Sequence, residues 1–240
     1  MIGMKQAYTE RVSRRSYTNR PVSRSDREKI MKAAAQRSDA GGIRIVPIFE
    51  DGSPFTASSG HVFFTGVRNY LVMAGPEADP DLLEKVGYYG ESMVLLIQRM
   101  GMGSCWVAGT YNRKKVKAAL APGERLVCVI PFGHVKPEPT IREKMLAKTI
   151  KRRRKKVRDM LVADGRPENW VVYGVRAATH APSAMNRQPV RFIYEDGLVS
   201  AVVKQEEETD LIDLGIAKLN FEAGAERGHW TFGNGALYEL

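Results

Sequence analysis

Ala181-Pro182-Ser183-Ala184-Met185-Asn186-Arg187-Gln188-Pro189-Val190-Arg191-Phe192 is the most informative run of the chain. Trp170–Thr179 leads into it with a helical pattern, and Val190–Glu195 leaves it as a strand. Pro182 and Pro189 fix φ and push the residue before each out of the helical region, so the join is expected to be a stiff, irregular turn. Such a turn presents backbone N–H groups and short polar side chains. Asn186 and Gln188 each carry donor and acceptor atoms, which suits the edge of a flat heterocycle with donors and acceptors of its own. An ordinary helix-to-strand loop rich in turn formers is the alternative.

Outward from that turn, the chain alternates helical and strand-like segments. Arg27–Gln36 reads as helix and Ile43–Phe49 as a strand whose Pro47 suits a sheet edge. Asn69–Ala74 and Leu126–Phe132 are apolar strands, and Leu82–Met100 is a long core helix closed by Gly101. Gly101-Met102-Gly103-Ser104-Cys105-Trp106 is not a dinucleotide fingerprint, because it follows a helix rather than a strand and ends in Trp. Near the start, Arg14, Arg15 and Ser16 set two guanidiniums beside a hydroxyl, a composition that can clamp phosphate. A basic N-terminal arm without a ligand is the bland alternative.

The composition excludes several classes. With 240 residues the chain is long enough to bury a sizeable core. No apolar run reaches the length of a membrane span, and no N-terminal stretch reads as a secretory signal. Cys105 and Cys128 lie far apart in no metal-like spacing, so reduced thiols in the cytoplasm are expected. His61, His134, His180 and His229 stand alone, without a metal-binding pattern. Gly90-Glu91-Ser92-Met93-Val94 falls short of a nucleophile elbow, since Val94 stands where glycine belongs. The net charge is +10, and much of it sits at 151–158 in Lys151-Arg152-Arg153-Arg154-Lys155-Lys156 and Arg158. A solvated helix face or linker is the preferred reading of that run, with nucleic-acid binding as the alternative.

Together these segments resemble the FMN-dependent nitroreductase family. The opening run is similar to its Pro-Ser-x-x-Asn-x-Gln-Pro segment, which covers the flavin ring. Arg14-Arg15-Ser16 resembles its Arg-x-Ser phosphate region. Trp106 to Gly109 resembles the Trp-x-x-Gly that passes near the flavin, and Gly133-His134-Val135-Lys136-Pro137 resembles its Gly-His/Tyr-x-x-Pro exit. Arg142 or Lys144 stands where a further basic phosphate ligand often lies. The resemblance implies an α+β fold with a central antiparallel sheet and flanking helices. It also implies hydride transfer from NADH or NADPH through FMN to a small-molecule electron acceptor such as a nitroaromatic or quinone. The cofactor-binding residues it implies are Arg14, Arg15, Ser16, Trp106, Gly109, Arg142, Pro182, Ser183, Ala184, Asn186 and Gln188. The cofactor carries the chemistry, and no side chain is expected to act as a nucleophile, base or metal ligand. A flavin-binding protein without robust reductase activity is the second reading.

The two halves echo one another. A shift of 145 positions sets Glu50-Asp51-Gly52 on Glu195-Asp196-Gly197, Ala33 on Ala178, Ser38 on Ser183 and Ile48 on Ile193. A shift of 125 sets Gly90 on Gly215 and Gly103 on Gly228. We therefore expect two structural repeats, 1–145 and a shorter 146–240, packed as a pseudo-dimer within one polypeptide or as a further homodimer. The phosphate clamp has no counterpart in the second repeat, and the proline-flanked turn has little in the first. One composite site per chain is the expectation.

Overall fold

Short helix α1 (Met4–Glu10) precedes a capped one. Ser23 starts α2 (Arg24–Gly41) by accepting the Asp26 N–H on its Oγ at 3.1 Å, and Gly42 ends it in the left-handed region. The computed structural model describes residues 1–56, 63–118, 120–149 and 153–240, without the side chains of Arg142, Leu146, Ala147 and Thr149. By contact the chain divides into two units. The first is Met1–Ile2, Arg11–Asp79 and Met93–Thr149; the second is Gly3–Glu10, Pro80–Ser92 and Ile150–Leu240.

The first unit is organised on an antiparallel sheet in the order β1-β2-β4-β3, formed by β1 (Arg44–Ile48), β2 (Asn69–Pro76), β3 (Gly103–Ser104) and β4 (Glu124–Gly133). The two longest apolar runs take the centre. Tyr70 to Ala74 of β2 and Val129 and Ile130 of β4 are fully buried, as strands covered on both faces must be. Pro47 lies in β1, an edge strand, where a missing N–H does no harm. Helix α3 (Leu82–Arg99) ends one residue before the expected Met100, and Gly101 at φ 77° turns the chain out of it. The division between the units falls inside this helix, between Ser92 and Met93. Helix α4 (Ile141–Thr149) closes the first unit.

The second unit contains α5 (Val157–Met160), the three-stranded sheet of β5 (Leu161–Ala163), β6 (Arg191–Glu195) and β7 (Leu198–Val202), and the helices α6 (Asn169–Ala178) and α7 (Thr209–Ala225). Strands β8 (His229–Trp230) and β9 (Tyr238–Glu239) pair near the C-terminus. Asp196 and Gly197, at φ 49° and 78°, close the β6–β7 hairpin with the two-residue turn that Asp-Gly favours. Strand β5 joins β6 in parallel. Val171, Val175, Phe192, Leu214, Phe221 and Trp230 form the core. The order helix, strand, antiparallel strand, helix occurs as α2-β1-β2-α3 and again as α6-β6-β7-α7. Between β1 and β2, however, Glu50-Asp51-Gly52 leads into a 3-10 turn at Ser53–Phe55 rather than a hairpin.

The start of α3 and the middle of α7 touch backbone to backbone. A Cβ on Gly87 would stand 2.1 Å from the Ile212 carbonyl oxygen, and one on Gly215 would stand 1.9 Å from that of Glu84. Beside this contact Lys218, fully buried, donates to Glu84 and to the carbonyls of Thr231 and Gly233. Gly215→Ala should force the two helices apart and lower unfolding stability by about 1–3 kcal/mol, as overpacked cores do. Chemical denaturation should register this as a lower midpoint, while a substitution at exposed Gly165, where a Cβ meets nothing, should leave it unmoved.

Candidate functional site

The arm from Ser13 to Tyr17 runs as an irregular strand. Arg14 N–H donates to the Ser104 carbonyl at 2.9 Å, Thr65 N–H to the Arg15 carbonyl at 2.9 Å, and Tyr17 N–H to the Thr65 carbonyl at 2.9 Å. The Tyr17 hydroxyl anchors the end by sharing its one proton between Arg14 O at 2.7 Å and Pro131 O at 2.9 Å. Gly103 is glycine because the Arg14 stem lies against it: an added Cβ would stand 2.7 Å from Arg14 Cγ. The two arginines, adjacent in sequence, have different roles. Arg14 is 5% exposed and points inward, donating from Nε to Glu143 at 3.3 Å and from its terminal nitrogen to Lys136 O at 2.9 Å and Glu138 O at 3.3 Å. Arg15 is half-buried, and among the described residues its guanidinium makes no hydrogen bond or ion pair. Ser16 Oγ lies 3.2 Å from Thr140 Oγ1.

Glu143 of α4 holds this arm. Its Oε1 accepts the N–H groups of Arg15 at 2.6 Å and Ser16 at 3.1 Å, and its Oε2 accepts the Thr140 N–H at 2.8 Å. Burial pushes the carboxyl up, but the amides of Arg15 and Thr140, the Arg14 charge and the Ser16 amide outweigh it, so it lies below the usual carboxylate range. Thr140-x-x-Glu143 is a capping box legible in sequence; its reach to residues 14–16 is not. In the same unit Trp106 is half-buried and Gly109 exposed, with open space around the latter. Arg142 lies in α4, but its side chain falls outside the described residues. Lys144 is exposed.

In the second unit the proline-flanked run is indeed irregular. A 3-10 turn occupies Ala184–Asn186, and Met185, Asn186 and Gln188 take φ of 48°, 51° and 51°. Side chains hold that strained backbone. Ser183 Oγ accepts the Gln188 N–H at 2.9 Å. Asp213 of α7 accepts the Ala184 N–H on both oxygens, at 3.0 and 3.1 Å. Arg187 reaches Asp210 and Thr209 at 2.8 Å each and Glu207 at 3.1 Å. Gln188 is buried, and its amide is engaged by the protein: Oε1 accepts the Lys155 N–H at 2.7 Å, and Nε2 donates to Arg153 O at 3.1 Å. The described part of the basic run is thus tied to the turn through Arg153 and Lys155, with Arg153, Arg154 and Lys156 exposed; Lys151 and Arg152 fall outside the described residues. Met185 projects outward, 67% exposed, and its N–H makes no hydrogen bond among the described residues.

Behind the turn, between Pro182, Ser183, Asp213 and Ala217, lies a cavity of about 10 Å³. That is room for a single water and not for a ring system, so a ligand of this turn meets its outer side. Sequence reading missed Asp213 and Glu143. The signal for Asp213 was a pair of acids, Asp210 and Asp213, among the apolar residues Leu211, Ile212, Leu214 and Ile216. Among the described residues no helix is long and apolar enough to cross a membrane.

The family described as Putative TM nitroreductase matches residues 3–225. Among solved structures the chain is similar to a putative nitroreductase from Thermotoga maritima, with 20% identity, a TM-score of 0.65, and coverage of 99% of this chain and 92% of that one. It is also similar, at 19% identity and a TM-score of 0.44, to an FMN-dependent nitroreductase from Clostridium difficile R20291, over 58% of this chain and 90% of that one. No curated protein matches.

Asp213 makes the turn sensitive to pH. Burial pushes its carboxyl up to about 7, opposed by the Ala184 N–H and the Arg187 charge and reinforced by Asp210. An acid whose pKa is raised on folding binds its proton more tightly in the folded state. Stability from Asp213 is therefore fully present at acid pH and lost as pH rises through about 7. In thermal melts across that range, the unfolding midpoint of the wild type should fall relative to that of Asp213→Asn, which has no proton to lose.

Proposed function

The chain belongs to the Putative TM nitroreductase family, and from that premise we propose that it is an FMN-dependent oxidoreductase passing hydride from NADH or NADPH to a small acceptor such as a nitroaromatic or quinone. The observation that carries the reading is the match over residues 3–225, which contains both the arm and the proline-flanked turn. Bound FMN supplies the hydride acceptor and donor; the protein binds, orients and tunes it.

The donor set fits such a cofactor in part. Arg15 is a cation with no hydrogen-bonded or ion-paired protein partner among the described residues, next to the Ser16 hydroxyl. Paired guanidinium donors match phosphate oxygens, so these two would hold the phosphate. Arg14 is held by Glu143 and serves the arm's shape. In the turn, the Met185 N–H is a donor of the kind a ring edge accepts, whereas Gln188 braces the backbone. A donor near a pyrimidine oxygen favours the reduced ring, because negative charge gathers there on reduction. Trp106, Gly109, Pro182, Ser183 and Ala184 would contribute shape rather than charge, and Arg142 remains a candidate second phosphate cation.

The repeated order of helix, strand, strand and helix supports an internal duplication of the kind the sequence echo suggests. A cytoplasmic enzyme acting as a monomeric pseudo-dimer or as a further homodimer goes with that reading.

The decisive experiment is direct. The purified chain should carry the visible absorption of a flavin, at one equivalent per chain, and NADH or NADPH should bleach it without oxygen. Bound flavin that neither nucleotide reduces would leave a flavin-binding protein rather than a reductase, and no flavin binding at all would sink the reading. Arg15→Ala should weaken FMN by about tenfold or more, the worth of a charge-assisted bond, and leave riboflavin affinity nearly unchanged. Equal losses for both ligands would place Arg15 in folding instead.

A further inference from the structure

The inner half of the phosphate arm is already filled by an anion that belongs to the chain. Glu143 Oε2 takes the Thr140 N–H at 2.8 Å and the Thr140 hydroxyl at 3.1 Å, which completes the cap of α4. That helix has no use for Oε1. The other oxygen instead collects three donors from the distant arm: Arg15 N–H at 2.6 Å, Ser16 N–H at 3.1 Å and Arg14 Nε at 3.3 Å. Arg14 and Glu143 side chains are 6% and 4% exposed, so the pair is shielded from solvent. Five donors converging on one buried carboxylate, including consecutive backbone amides and a guanidinium, are the surroundings an oxyanion seeks.

We propose that Glu143 is a resident anion in an oxyanion site made by Arg14 and the amides of Arg15, Ser16 and Thr140, and that it decides how this arm recognises phosphate. While its carboxylate is in place, a second anion cannot share those donors. The inner amides are closed to phosphate, and a phosphate monoester is read only from outside, by Arg15. Remove the carboxylate, and phosphate can take its position. That last point stands without the flavin reading; the consequence for FMN rests on it.

Removing one partner of a buried ion pair leaves the other charge unpaired and destabilises the fold. This makes the test one of rescue. The wild type, Glu143→Ala and Glu143→Gln are melted in inorganic phosphate and in chloride at equal ionic strength. Glu143→Ala should melt below the wild type in chloride and gain about 4 °C or more in phosphate, the scale of a ligand bound only by the folded state. The wild-type gain should be less than half of that. In spectra of the ¹⁵N-labelled proteins, the Arg15 and Ser16 amides should move with phosphate in the variant and stay in place in the wild type. Equal gains in variant and wild type, or wild-type amides that move as far, would overturn the proposal, since the site would then be either absent or open with Glu143 in place. Should Glu143→Ala fail to fold in either salt, Glu143→Ser, which also vacates the oxyanion position, is judged by the same two readouts, while Glu143→Gln, whose amide still fills that position, should gain no more from phosphate than the wild type. Binding of FMN and riboflavin, followed by absorbance, separates the two ideas. A chain that binds neither flavin removes the oxidoreductase reading and leaves the phosphate comparison standing.

Discussion

Backbone that leaves a sheet or helix while still buried must find acceptors for its N–H groups, and this chain supplies them from acids carried on helices. Glu143 on α4 takes the amides of Arg15 and Ser16, Asp213 on α7 takes that of Ala184, and Glu84 on α3 takes that of Gly233. An amide buried without a partner costs about 1–3 kcal/mol, and an ionised acceptor binds it more strongly than a neutral one. The acid itself is expensive to bury, so each carries company. Glu143 has Arg14, Glu84 has Lys218, and Asp213 has the field of Arg187, which also serves Asp210 and Glu207. The irregular segments are therefore held not only by their own side chains, such as Ser183 and Arg187, but also by acids far away in the chain.

That division explains what could be read from the sequence. The central strands and α3 were legible because their signal is local: apolar runs bounded by turn formers, and an apolar stripe ended by a glycine. Pro47 foretold an edge strand, and the two prolines at 182 and 189 foretold an irregular turn. The glycines of Gly101-Met102-Gly103 have backbone and packing roles in the structure. Gly101 turns the chain at a positive φ, and Gly103 makes room for the Arg14 stem. The short parallel strand β5 and the two-strand ribbon of β8 and β9 were not legible, since two or three residues carry no period.

The site residues divide along the same line. The sequence offers residue types able to bind, but not the direction in which each side chain points. Nothing in Arg14-Arg15-Ser16 says which guanidinium turns inward, because that is settled by an acid 129 residues from Arg14 in the chain. Likewise Gln188 has the atoms to meet a ligand, yet its amide closes on Arg153 and Lys155. A residue that can both bind and brace reveals its role only through its neighbours.

The same neighbours give chemically similar acids opposite electrical behaviour. Burial raises both Glu143 and Asp213, and what differs is the number and charge of the donors that answer it. Five donors, one of them a dedicated guanidinium, keep Glu143 ionised throughout the neutral range, so the arm it holds has one electrostatic state there. Asp213 has a single backbone N–H, a shared arginine and a neighbouring acid, and it stands at about 7. Its turn is consequently held by a group whose charge is nearly balanced between two states, beneath three residues already at positive φ. Strained backbone persists only where its surroundings over-determine it. Here the surroundings include a proton that neutral pH can add or remove, so the arm's geometry is fixed by chemistry that does not titrate near neutrality, whereas the turn's is not.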